Sequence, residues 1–166
     1  MDQRMTALKW LGWEQYELPA EAAGQVSEAD NLAYAKALMS CAAGDGEISP
    51  AEREWIVGYL TTAGDPEAVV DAMADYNGGD EIGDLLGLSP ILGLTGRALI
   101  YDALRACASD GELSPGELDR ICSTADGLGI SRDVVAELEQ IVDEEKALRK
   151  RRHQIILADM LAGAGG

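Results

Sequence analysis

An all-α fold, a compact helical bundle built from two pseudo-symmetric helical repeats, is what this sequence predicts. Three observations carry the prediction. First, the phrase Asp45-Gly46-Glu47-Ile48-Ser49-Pro50-Ala51-Glu52 returns as Asp110-Gly111-Glu112-Leu113-Ser114-Pro115-Gly116-Glu117 at a constant offset of 65 residues. The register holds beyond the phrase, with Ala43 on Ala108, Ile56 on Ile121, Gly64 on Gly129 and Val69-Val70 on Val134-Val135. A fixed offset of this kind marks two copies of one supersecondary unit. Second, several stretches repeat apolar residues at helical spacing, and none alternates apolar and polar residues as a half-buried strand would. Third, phenylalanine is absent and β-branched runs are few, which removes much of what fits a pleated sheet.

The elements follow in order. Residues 1–26 form an N-terminal arm or short helix in which Leu8, Trp10, Leu11, Trp13 and Tyr16 gather apolar bulk before Leu18-Pro19 breaks it. Two readings fit: a helix packed on the body, or an exposed aromatic patch for a partner. Residues 27–145 form the helical domain, with repeat one at about 28–76 and repeat two at about 90–145. Ser27 is a predicted N-cap with acids in the first turn behind it. Leu32, Ala35, Leu38, Met39 and Ala42 recur at helical spacing up to Gly44-Asp45-Gly46. Ser49-Pro50-Ala51-Glu52 then reads as a complete helix start, with a serine cap, proline at the first helical position and glutamate closing a capping box. Trp55, Ile56, Tyr59 and Leu60 make its stripe, Gly64 ends it, and Asp65-Pro66-Glu67 opens a further helix with Val69, Val70 and Met73.

Residues 77–89 are the expected joint, a glycine-rich helical connector. Its acids Asp80, Glu81 and Asp84 and its lack of a Gly-Lys-Ser/Thr sequence argue against a phosphate loop. Ser89-Pro90 is read as opening the next helix, which runs to Ser109. The capped helix from Pro115 follows, stopping near Gly127-Leu128-Gly129. Ser131 is read as capping a last helix that continues through Leu148 toward Leu157 and Leu161. Residues 146–166 are the charged extension of that helix and a frayed tail.

The chain has 166 residues and a formal net charge of −17. Such a field repels DNA, RNA and anionic lipid, so nucleic-acid binding is excluded as an expectation, and protein partners or cations are favoured. No apolar run approaches the length of a membrane span, so direct membrane insertion is not expected. Cys41, Cys107 and Cys122 form no CxxC pair and sit in apolar settings, where a free thiol behaves as a small hydrophobe. Together with an N-terminus that lacks a signal-peptide pattern, this predicts a cytoplasmic protein. Along the last helix Glu137, Glu139, Asp143, Glu144 and Glu145 precede Lys146, Arg149, Lys150, Arg151 and Arg152, an order that complements the helix dipole. The basic segment 146–153 is either a solvated face or a handle for self-association with this acidic protein. His153, the one histidine, has no nucleophile or acid assembled beside it by spacing, and catalysis is not expected.

Most of the doubled phrase is helix punctuation. Asp45 and Asp110 are not explained that way, because a carboxylate at a helix C-terminus faces free carbonyls and costs roughly 0.3–1 kcal/mol. The phrase matches the back half of an EF-hand loop, but the front positions would be Cys41 and Ala43, or Ala106 and Ala108, which offer no oxygen ligands. A site shared between the two copies is the better metal reading, with Asp45, Glu52, Asp110 and Glu117 converging and Glu47 and Glu112 beside them. Ca²⁺, Mg²⁺ or Mn²⁺ is the expected ion. The alternative is a protein-interaction scaffold without metal, and the remote alternative is an enzyme that uses the paired carboxylates for acid–base chemistry.

The segments Ala42-Ala43-Gly44-Asp45-Gly46-Glu47-Ile48-Ser49-Pro50-Ala51-Glu52 and Ala106-Cys107-Ala108-Ser109-Asp110-Gly111-Glu112-Leu113-Ser114-Pro115-Gly116-Glu117 resemble the motif of the tellurite-resistance TerB family. The wider TerB-like set includes the N-terminal domain of a DnaJ-type membrane co-chaperone. The resemblance spans about residues 28–145. It implies a two-halved helical bundle, the acids above as cation-binding positions, and a role in stress-response, membrane-linked or chaperone-like complexes. Gly44 departs from the pattern, which has a residue such as alanine before the aspartate.

Overall fold

The structure, a computed structural model, describes residues 2–19, 21, 26–111 and 113–158. Among them are eight α-helices and no strand: α1 (Gln3–Tyr16), α2 (Glu28–Ala42), α3 (Pro50–Ala63), α4 (Glu67–Ala72), α5 (Ile82–Leu88), α6 (Leu92–Cys107), α7 (Pro115–Gly127) and α8 (Arg132–Ile156). Short 3-10 turns at Ala43–Asp45 and Ala108–Asp110 end α2 and α6. The all-α reading is correct.

The two repeats are α2-α3-α4 and α6-α7-α8, joined by α5. The equivalent helices α2 and α6 pack on each other at the centre of the molecule. Every residue from Ala37 to Ala42 is buried, as is every residue from Leu99 to Leu104, which is the signature of helices covered on all sides. Leu38, Met39, Leu99, Ile100 and Leu104 interdigitate there with Ile56, Leu60 and Ile121 from α3 and α7. Alanines at positions 33, 35 and 37 let the neighbours of α2 approach closely.

The repeats are exchanged at their corners. The turn that ends α2 packs against α7, and the turn that ends α6 packs against α3. Each copy's corner therefore seats on the second helix of the other copy. This reciprocal contact positions the site described below.

The predicted caps form at Ser27, Ser49 and Ser114, each as a full capping box, and together they satisfy orphan N–H groups at about 1 kcal/mol per cap. Two expected starts differ. The Ser89 hydroxyl, read as the cap of α6, instead donates to Asp30 Oδ1 at 2.6 Å, and α6 begins at Leu92 behind an uncapped Ile91. Ser131 is the N-cap of α8 but makes no side-chain cap bond. Neither serine has the acid three residues on that holds a capping box in register. The predicted positions Leu161 and the 162–166 tail lie outside the described residues. Helix α1 packs on α3 through buried Leu11 while leaving Trp10 and Trp13 exposed, so the arm is both packed and aromatic at its surface.

A second polar centre lies under α1. Asp102 is fully buried and accepts from the Tyr34 hydroxyl at 2.9 Å and from Arg105 Nη1 at 3.3 Å. Burial raises its pKa, and the surrounding tyrosine and arginine donors pull it back. Tyr16 OH, at 3.4 Å from both carboxylate oxygens, and Gln15, which accepts from Arg105, tie α1 to this centre.

Candidate functional site

The doubled phrase builds two similar corners. Gly46 and Gly111 turn the chain at φ 103° and 136°, conformations in which a side chain would be strained. The serine and glutamate that follow then close the capping boxes. The Ser49 N–H donates to Glu52 Oε2 at 2.7 Å, and the Ser114 N–H donates to Glu117 Oε2 at 2.6 Å. Each glutamate thus uses one oxygen locally, and the helix start points its carboxylate inward.

Because the corners are exchanged, the two glutamates meet. Glu52 is 2% exposed and Glu117 4%. One carboxylate oxygen from each and the Sγ of Cys107, the last residue of α6, lie within 4.8 Å of one another. Among the described residues Glu52 Oε1 has no hydrogen-bond partner. Two buried carboxylates this close are costly unless a proton or a cation lies between them.

The electrostatics follow from burial and like charge. Desolvation and the adjacent Glu117 push the Glu52 carboxyl up to about 8, so the pair holds a proton at neutral pH. Burial pushes the Cys107 thiol far up as well, with Cys41 and both glutamates adding to the effect. The proton held by the glutamate pair and the thiol proton of Cys107 therefore lie together among buried ligand atoms. That arrangement suits exchange of protons for a cation.

One half of the exchange is unusually tight. A Cβ added to Gly44 would stand 2.6 Å from the Gly116 carbonyl oxygen and 2.7 Å from Glu117 Cα, and one added to Gly116 would stand 2.9 Å from Asp45 Cα. The repeat-equivalent positions are Ser109 and Ala51, which carry side chains. The departure at Gly44 thus has a packing cause: backbone crosses backbone there, directly behind Glu117.

The other predicted ligands are placed differently. Asp45, Glu47 and Asp110 are exposed, and Glu112 lies outside the described residues. Asp45 has a local role that the sequence reading lacked: its Oδ1 accepts the Glu47 N–H at 3.2 Å, an Asx turn that offsets its position beside helix carbonyls. Of the five predicted acids among the described residues, Glu52 and Glu117 are the two brought together. The missed residue is Cys107, which stands where repeat one has Ala42. That thiol-for-methyl difference next to the repeated phrase was the available signal.

A groove of about 430 Å³ lies beneath α1, and its lining among the described residues includes Leu8, Leu11, Tyr34, Tyr59 and Asp65 and no serine, cysteine, histidine or lysine. His153 is exposed on α8.

No family model matches the chain, and no curated protein matches it. Among solved structures, its fold is similar to the crystal structure of a tellurite resistance protein from Nostoc punctiforme, with a TM-score of 0.80 and 27% sequence identity. The match covers 94% of this chain and 95% of that one. Among the described residues no helix is long and apolar enough to cross a membrane.

Proposed function

We propose that this chain is a TerB-like, non-catalytic binding module whose buried glutamate pair takes up one divalent cation in exchange for protons. The reading is supported by the near end-to-end likeness to a tellurite resistance protein and by the two copies of the Asp-Gly-Glu motif. The observation that carries it is the Glu52 carboxylate, which lies buried with Glu117 and Cys107 inside 4.8 Å and whose Oε1 has no hydrogen-bond partner among the described residues. Service in a stress-response or membrane-linked complex belongs to the same proposal, as does a cytoplasmic setting, which suits three buried free cysteines.

The donor set narrows the ion. Two carboxylate oxygens and a thiolate fall short of the six to eight oxygens Ca²⁺ takes, and a sulfur donor suits neither Ca²⁺ nor Mg²⁺. They match the mixed sulfur and oxygen chemistry of a small four-coordinate ion such as Zn²⁺. The test is a titration of metal-stripped protein with Zn²⁺, Mn²⁺, Mg²⁺ and Ca²⁺ while following Tm and proton release. An ion at about 100 times its Kd should add roughly 2.7 kcal/mol of stability. If no ion shifts Tm, or if Glu52→Gln with Glu117→Gln leaves the shift intact, the cation reading falls. The second reading, a protein-interaction scaffold, then stands, because both glutamates already complete their capping boxes and a shared proton can satisfy the pair.

A further inference from the structure

The second half of α8 leaves the body of the protein. Val135 and Val142 are buried, the Tyr101 hydroxyl donates to Glu145 at 2.7 Å, and Lys146 Nζ bonds the Gly111 carbonyl. Every residue from Ala147 to Ile156 is exposed. A free helical arm of about three turns has little intrinsic stability in water, and this one carries apolar residues. Ile141, Leu148 and Ile155 are 40%, 61% and 67% exposed. Their spacing of seven places them in one line along the helix, as in one position of a coiled-coil heptad.

The charges around that line have a symmetry of their own. At about 100° per residue, Glu144 and Glu145 flank the line before Leu148, and Arg151 and Arg152 flank it after. Lys146 and Lys150 point to the opposite side. A twofold axis through Leu148 brings Leu148 to Leu148 and Ile141 to Ile155 of the other copy. It also sets Glu144 beside Arg151 and Glu145 beside Arg152, twice over. A parallel pairing would instead stack glutamate on glutamate and arginine on arginine, which is disfavoured. The protein's net charge of −17 repels a second copy everywhere that such local matching is missing. An anionic lipid surface would meet Glu144 and Glu145 beside the same apolar line.

We propose that the exposed half of α8 is a self-association element, in which two copies of this chain pair antiparallel about Leu148 with Ile141, Leu148 and Ile155 as the seam. Sedimentation equilibrium of the full chain tests it. Wild type should form a dimer that loosens at high salt and is lost in Leu148→Lys. Glu144→Arg and Arg151→Glu should each weaken the dimer about tenfold or more, since each replaces two attractive contacts by two repulsive ones. An equal mixture of the two variants should recover a heterodimer of wild-type strength, because every 144·151 contact is then complementary. These positions are exposed, so each variant keeps the wild-type Tm at low concentration. A wild-type chain monomeric at all concentrations overturns the proposal, as does a Glu144→Arg variant that dimerises more tightly, the sign of a basic handle on an acidic surface. Sedimentation of monomeric wild type with phosphatidylserine-containing vesicles would assign the seam to lipid and overturn it equally.

Discussion

Glu52 and Glu117 meet where the two corners are exchanged, each with one oxygen fixed by the N–H of its own capping serine and with Cys107 beside them. Residues that sequence logic assigns to helix capping thereby become a buried acid pair. A cap is normally solvated; here the exchange of corners covers it.

Replacing Glu52 separates the two roles. Glu52→Gln keeps an oxygen for the Ser49 N–H and offers an amide donor to Glu117, so urea denaturation should show little loss of stability while any response to metal disappears. Glu52→Ala should lose about 1–2 kcal/mol, the usual cost of a broken cap.

Metal-free protein should lose stability as pH rises. Burial and Glu117 raise Glu52 from 4.5 to about 8, and burial raises Asp65 from 3.8 to about 6. A carboxyl with a raised folded pKa contributes stability that is complete below its unfolded value and lost as pH climbs through its folded value. Tm should therefore fall between pH 4.5 and 8, and Glu52→Gln should flatten the slope. Asp30, held low by hydrogen bonds from Ser27 and Ser89, acts in the opposite sense at lower pH.

Cys107 is predicted to select the ion. Cys107→Ala, which restores the residue found at the equivalent Ala42, should fold normally and lose about tenfold or more in Zn²⁺ affinity, at least the loss seen for supporting residues of metal sites. Calorimetry on metal-stripped protein checks this. Equal Zn²⁺ binding by the variant would remove the thiol from the site.

Gly44→Ala should destabilise by about 1–3 kcal/mol, the range for an overpacked contact, because its Cβ meets backbone atoms of Gly116 and Glu117 that have nowhere to go. Ser109→Ala, at the equivalent position of repeat two, should be close to neutral. Chemical denaturation of the two variants side by side makes the comparison internal.

Asp102 should be the most sensitive polar position away from the corners. Asp102→Ala leaves Arg105 without its acidic partner and should cost about 3–5 kcal/mol, while Tyr34→Phe, which removes one hydroxyl bond of 2.9 Å, should cost about 1 kcal/mol. Thermal melts of both variants test the order.

Local chemistry was legible from the residues alone. The repeat offset, the serine caps at Ser27, Ser49 and Ser114 and the glycine turns follow from backbone hydrogen bonding and φ restrictions within a few residues, so most helix boundaries are legible locally. Ser89 does not cap α6 because its hydroxyl is taken by Asp30, a residue from another helix that no local rule reaches. Asp45 is tolerated beside the helix carbonyls because its Asx turn to Glu47 competes with the helix-terminus penalty at short range. The pairing of α2 with α6 and the exchange of corners were decided by tertiary packing, since the all-round burial of those helices depends on which surfaces meet. That exchange turns Glu52 and Glu117 from two solvated caps into one buried pair and places Cys107 against them. Burial and proximity set the chemistry of a carboxylate, and neither is a property of its neighbours in sequence.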